Sequence, residues 1–211
     1  MKNILLGIDM NSHKNMIDES QLMKTLYYSS EQPADMFYQF CAQILENCSE
    51  VAFSKNQEYI MEKWRSRYTH IIPVEHLPSK ESLKEDIIRE DPDIIVIDTL
   101  DHAVAGAFND HQAKQDLMIA MQGIATVYRK KFIVVSQIGR ADSRERTIDL
   151  FSGKGSGSIE NQSRKVFSIF PMKDDENIKV IRFLADSYGP LPESDITMRI
   201  TTSRRFKRIL I

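Results

Sequence analysis

Asp93-Ile94-Ile95-Val96-Ile97-Asp98 is an unbroken apolar run closed by a carboxylate. Such a run marks a strand buried on both faces, as in a parallel sheet covered by helices. Phe132-Ile133-Val134-Val135-Ser136 repeats the pattern downstream, and the spacing predicts one long helix over His111–Lys130 between the two. Upstream, strands are expected at Asn3–Ile8, Thr25–Ser29 and Ile71–Glu75. Pro33 suits the first position of a helix, which Met36, Phe37, Phe40, Ile44 and Leu45 continue at helical spacing. A further helix is expected over Asn56–Arg67, with Ser54 as a cap candidate. Ser79 is expected to cap another that carries Leu83, Ile87 and Ile88, with Glu81 and Glu85 in its first turns.

Beyond Ser136 the pattern changes. Gly139–Ser163 holds Arg140, Arg144, Arg146, Lys154 and the glycines at 153, 155 and 157, and reads as a long loop. Strands are expected at Lys165–Phe170 and Ile178–Leu184 around a turn at Lys173–Asn177, and again at Ile196–Ile200. Residues 203–211 read as a basic tail. Alternating strands and helices followed by a run of strands predict an α/β fold. Its sheet is expected to be mostly parallel, with an antiparallel C-terminal extension, in a single domain over residues 1–211.

The composition narrows the function. The 211 residues are 42% hydrophobic and 27% charged, with ordinary glycine and proline and two cysteines. That length buries about 70% of the unfolded surface without disulfide or metal staples. Collagen, low-complexity disorder and a disulfide-rich secreted scaffold are excluded. The net charge is -2, so contact with nucleic acid requires a local basic patch. No apolar stretch approaches the roughly 20 residues of a membrane helix, and no signal-peptide pattern opens the chain. Cys41 and Cys48 are seven residues apart, on one face of any continuous helix, and read as buried thiols of a cytoplasmic protein. His102 and His111 lack ligand spacing, so no zinc cluster is expected.

Three places carry candidate chemistry. Asp98 ends a buried strand, where a carboxylate can hold magnesium at the carboxyl edge of the sheet; a strand that merely ends in Asp at a turn is the plainer alternative. Ser136-Gln137 closes the next strand, where Gln can reach a phosphate or water, or simply end a strand. Gly7-Ile8-Asp9-Met10-Asn11-Ser12-His13-Lys14-Asn15 follows the first expected strand, where a phosphate cradle would lie. Position and lysine suit that role, but His13 stands where the cradle needs glycine and Asn15 where it needs a hydroxyl. A Cβ there hinders the backbone turn that aims N–H groups at phosphate.

Read in order, these segments resemble the RecA-type motor domain of DnaB-like replicative helicases. Tyr27-Tyr28-Ser29-Ser30-Glu31-Gln32-Pro33 resembles the family's strand plus "SLEMP". Ile94–Asp98 with Thr99-Leu100 resembles its magnesium-binding strand, and Val134-Val135-Ser136-Gln137-Ile138-Gly139-Arg140 its "SQLNR" segment. Asp149-Leu150 with Gly155-Ser156-Gly157-Ser158-Ile159-Glu160-Asn161 resembles "DLRESGSIEQ". The resemblance spans almost the whole chain. It implies Glu31 as catalytic base, Gln137 as phosphate sensor, and Gly7, Lys14, Asn15 and Asp98 around ATP and its magnesium. It also implies Arg140, Arg144, Arg146, Lys154, Arg164 and Lys165 along single-stranded DNA, and a homo-oligomer or a related helicase ring as partner.

The departures are equally specific. His13 and Asn15 degrade the cradle. Too few residues separate Lys14 from Lys24-Thr25-Leu26-Tyr27 for the family's first helix. Ala185 and Ser187 before Gly189-Pro190 replace the Lys-x-Arg that reaches a neighbour's phosphate, and Arg182 lies upstream. Arg164-Lys165 replaces an acidic stretch. Met1 stands at the first expected strand, so the family's N-terminal primase-binding domain is expected to be missing. Phosphoryl transfer is mostly positioning and electrostatics, and an arginine finger is typically worth about three to five orders of magnitude. The expectation is a relative with weak or lost ATPase that binds single-stranded DNA or a ring partner. An active DNA-stimulated ATPase and a structural subunit without DNA contact are the alternatives.

Overall fold

Two four-stranded sheets organise the chain in the computed structural model, which describes residues 2–8, 18–29, 32–137, 161–172 and 175–209. The first comprises β1 (Thr25–Ser29), β2 (Ile71–Val74), β3 (Ile94–Asp98) and β4 (Lys131–Val135), all parallel, in the order β2-β1-β3-β4. The second is an antiparallel meander of β5 (Lys165–Pro171), β6 (Ile178–Asp186), β7 (Ile196–Ile200) and β8 (Phe206–Ile209). The helices are α1 (Lys2–Leu5), α2 (Ala34–Glu46), α3 (Glu50–Lys55), α4 (Gln57–Lys63), α5 (Arg65–Tyr68), α6 (Lys80–Glu90), α7 (Leu100–Ala103) and α8 (Asp110–Tyr128).

Side-chain alternation along the parallel strands builds a core on each face. Tyr27, Ile94 and Val96 face Leu5, Leu6, Phe37, Cys41, Leu45 and Ile60 from α1 to α4 and the turn after α1. Leu26, Tyr28, Ile95 and Ile97 face Leu83 and Ile87 of α6 and Leu117, Met118, Met121 and Ile124 of α8. Central β1 and β3 are buried on both sides, whereas β4 lies at an edge and is only half-buried. The apolar run Phe132–Ser136 predicts a fully buried strand; position in the sheet decides that, not composition. Pro73 sits in β2, the other edge, where a missing N–H is tolerated.

Helix starts follow the expected chemistry with local shifts. Ser79 caps α6, its hydroxyl accepting from Ser82 N while Ser82 Oγ accepts from Ser79 N at 2.8 Å. Pro33 is the residue before α2 rather than its first, and Glu75 supplies the missing acceptor, taking the Ala34 N–H at 3.0 Å. The helix expected over Asn56–Arg67 is broken into α3, α4 and α5. Ser49 caps α3, and Ser54 lies inside it with its hydroxyl on the Glu50 carbonyl at 2.9 Å. Cys48 falls beyond the end of α2, past left-handed Asn47, so the two cysteines do not share a helix face. Cys41 is buried, Cys48 only partly, and both are free thiols.

The largest correction is at the start of the chain. Lys2–Leu5 is a helical turn, not a strand, and Gly7 follows it with a positive φ of 67°. Leu5, Leu6 and Ile8 still reach the core. A short apolar run satisfies a buried helix as well as a strand, and periodicity cannot separate them.

Residues 203–209 are not a solvated tail. β8 pairs with β7, and Ser203 and Arg205 are buried. The Arg205 guanidinium donates to the Ile44 and Leu45 carbonyls at 2.7 and 2.9 Å, closing the open C-terminal end of α2. Ser203 Oγ donates to Asn47 Oδ1 at 2.6 Å, and the Arg204 guanidinium lies 4.2 Å over the Phe40 ring. The antiparallel sheet is thereby fastened to the helix layer of the parallel one.

Candidate functional site

The parallel register brings three strand ends into line. Ser29 stands opposite Asp98, and Asp98 opposite Val135, with Ser136 and Gln137 following immediately. This is the carboxyl edge, where ligands of open α/β sheets bind. The sequence-predicted residues Asp98 and Gln137 therefore share one edge.

Asp98 points to the face shared by Tyr27 and Val96, and accepts a hydrogen bond from the Tyr27 hydroxyl. Lys2 approaches the same face from α1. Its ammonium donates to Gln32 Oε1 and lies 4.6 and 4.9 Å from the Phe37 and Phe40 ring centres. Burial pulls the Lys2 ammonium below the ordinary lysine range, while the Cys41 thiol and the Asp98 carboxylate oppose that shift. A lysine thus neighbours the strand-end carboxylate, from a position the sequence reading did not single out. Ser29 Oγ accepts the Gln32 N–H at 3.2 Å, shaping the turn between β1 and α2.

Gln137 is organised by another unanticipated residue, Asp101 of α7. The Asp101 carboxylate accepts from the Gln137 N–H at 2.9 Å, Ser136 Oγ at 3.2 Å and Lys114 Nζ at 2.7 Å. Lys114 is buried on α8, with 7% exposure. Burial alone would raise the Asp101 carboxyl, but the Gln137 N–H, Lys114 and Ser136 outweigh it and hold the group below the ordinary carboxylate range. Thr99 caps α7 through the His102 N–H at 3.4 Å, its hydroxyl also 3.0 Å from His102 Nδ1. The useful sequence signal was the spacing of Asp98 and Asp101 around a helix start, with a lysine on the apolar face of the next helix.

The remaining expected residues divide sharply. Lys165 bonds Asp186 at 2.9 Å and lies 5.9 Å from the Tyr188 ring, while Arg164 is exposed at the start of β5. Arg182 forks onto Asp195, with its nearest contact at 2.8 Å, and stacks 5.2 Å over Phe170. Glu31, Lys14, Asn15, Arg140, Arg144, Arg146 and Lys154 lie outside the described residues. Gly7 is described, but it follows a helical turn rather than the strand on which a phosphate cradle was expected.

The donor set suits magnesium in part: one carboxylate and a neighbouring hydroxyl match an ion that keeps several waters. For nucleotide phosphates the described residues offer no strand-borne cradle at Gly7, so the geometry supports no phosphoryl-transfer step. Among the described residues, no cluster of three or more His, Cys, Asp or Glu could hold a metal ion, and no helix is long and apolar enough to cross a membrane.

No protein-family model and no curated protein matches the chain. Solved structures do. The ATPase domain of one DnaB-like helicase superposes with a TM-score of 0.72 at 13% identity, over 88% of this chain and 74% of that one. A KaiC-like protein from the archaeon Pyrococcus horikoshii OT3 gives 0.63 at 10% identity, over 91% and 78%. A DnaB-like replicative helicase, described with its interactions with primase, gives 0.69 at 15% identity, over 94% of this chain but 53% of that one. At these identities the property shared is the architecture. Parallel sheet, flanking helices and antiparallel sheet together make the RecA-type α/β fold of DnaB-like helicase ATPase domains.

Proposed function

We propose that the chain is a RecA-fold protein of DNA replication or recombination, acting in the cytoplasm, that binds single-stranded DNA and has a reduced nucleotide site. The observation that carries this reading is the helical turn at Lys2–Leu5 in place of a strand leading into a phosphate cradle. The Arg182–Asp195 fork supports it, since that arginine is already engaged within its own chain. The two sheets act as one RecA-like domain, supported by the seat of Arg205 on α2. DNA is contacted through the basic residues of 139–163 and through Arg164 and Lys165, where clustered positive charge suits sequence-independent binding. Association with a related helicase ring is the protein partner that the fold favours.

A second reading, an active Mg-ATP-dependent ATPase, is favoured by one observation: Lys2 and Asp98 stand together at the sheet edge. Equilibrium binding of a fluorescent ATP analogue with magnesium, with and without single-stranded DNA, separates the two. The expected result is DNA binding without nucleotide binding at millimolar concentration. Micromolar nucleotide binding that is abolished in Lys14→Ala overturns the reduced site and moves the assignment to the ATPase.

A further inference from the structure

A groove of about 580 Å³ lies between α8, the segment after α7 and the start of α6, away from the strand-end site. Its walls are apolar and mostly small: Ala103, Val104, Ala107, Ala113, Leu117 and Ala120. Val104 and Leu117 form a buried floor. Two charged side chains also line it, Lys80 from α6 and Asp116 from α8. Directly beyond the Ala107 wall, Phe108 stands wholly in solvent, the most exposed of the large apolar residues described. An aromatic ring held fully in water is an unfavourable use of about 150–250 Å² of surface. The same face therefore carries an apolar projection, an apolar recess, and one charge of each sign.

We propose that this face docks a second copy of the chain about a two-fold axis, with Phe108 of each copy seated in the groove of the other. A two-fold contact is self-complementary: whatever one copy offers the other must receive, and the reverse. Projection and recess side by side on one surface meet that requirement. The charges meet it as well, because Lys80 of one copy comes to Asp116 of the other, twice per dimer. Exposed aromatic anchors seated in apolar pockets are the residues that dominate association energies. The dimer does not depend on the nucleotide or DNA reading, and its symmetry differs from the head-to-tail contact of a ring.

Sedimentation equilibrium on the whole chain between about 1 and 100 μM tests it. The expected result is a monomer–dimer equilibrium within that range. Phe108→Ala should weaken dimerisation at least 100-fold, since each dimer would be without both of its anchors. Ala113→Trp, which fills the groove, should do likewise, with circular dichroism confirming an unchanged fold. Lys80→Glu and Asp116→Lys should each weaken self-association, and mixing the two single variants should restore a heterodimer. In that mixture both charge contacts are attractive, whereas both are repulsive in either variant alone. A chain that stays monomeric at 100 μM overturns the proposal. So does any oligomer indifferent to Phe108→Ala, or failure of the mixed variants to recover association.

Discussion

Lys114 Nζ stands 2.7 Å from Asp101 Oδ1, with the two side chains 9% and 14% exposed. That contact joins α8 to α7, and Asp101 passes it on to the backbone of Gln137, just before the basic segment 139–163. A withdrawn ion pair of this kind fixes geometry more than it adds stability.

Removing one partner should therefore be much worse than removing both. Lys114→Ala leaves a desolvated carboxylate uncompensated and should cost about 3 kcal/mol. The double variant Lys114→Met/Asp101→Asn should recover most of that stability. Urea unfolding of the four proteins in the cycle checks this, and equal destabilisation in single and double variants would contradict the coupling.

Acid should destabilise the protein in two steps. Burial pushes the His70 imidazole below its ordinary value, against the opposing hydrogen bond to the Leu5 carbonyl. As pH falls below about 6.5, the unfolded chain takes up that proton before the folded one, so stability falls. Asp101 and Asp86 are also held low. At Asp86 burial pushes upward, but the Tyr28 hydroxyl, Arg89 and His76 outweigh it. Their contribution is complete above about pH 3.9 and disappears as pH falls through their depressed folded values. His70→Gln should remove the first step of a urea-midpoint profile against pH, and Asp101→Asn should flatten the second.

Arg205 closes the end of α2 with two hydrogen bonds from a buried guanidinium. Arg205→Ala leaves the Ile44 and Leu45 carbonyls without those donors and should cost about 2–3 kcal/mol. Arg205→Lys should recover only part, because a point-like ammonium cannot fork across both oxygens. Thermal unfolding of the two variants beside the parent checks the order.

If residues 139–163 carry the DNA contact, replacing Arg140, Arg144 and Arg146 with Ala should weaken single-strand affinity about tenfold or more. It should also reduce the slope of log affinity against log salt by about 2, at roughly 0.7 for each phosphate no longer neutralised. Fluorescence anisotropy at several salt concentrations reads both. An unchanged slope would remove this segment from the interface.

The parallel sheet was legible because its strands are encoded twice, by apolar runs at Ile94–Asp98 and Phe132–Ser136 and by the helix period between them. Ser79 and Ile196 marked element starts correctly because capping and turn chemistry are local. The Lys2–Leu5 helix was missed because four to six apolar residues satisfy either conformation, and the choice was made by packing against Phe37 and Cys41. β8 was missed for a related reason. Phe206-Lys207-Arg208 reads as charge until Arg205 is seen to be committed to a helix distant in sequence. Asp98 and Gln137 could be placed at the site because both follow strands directly. Asp101 and Lys114 could not, because their roles arise only when α7 and α8 meet.

The seat of Arg205 on α2 also sets an order of events during synthesis. The carbonyls of Ile44 and Leu45 are made early, and their donor arrives 161 and 160 positions later. At about 5–20 residues per second that interval is roughly 8–30 s. For that time the end of α2 is solvated by water, and the Phe40 ring lacks the Arg204 guanidinium that covers it in the finished fold. A nascent chain halted shortly before residue 200 should thus expose a protease-sensitive, chaperone-accessible seam at the end of α2, and one released past residue 209 should seal it.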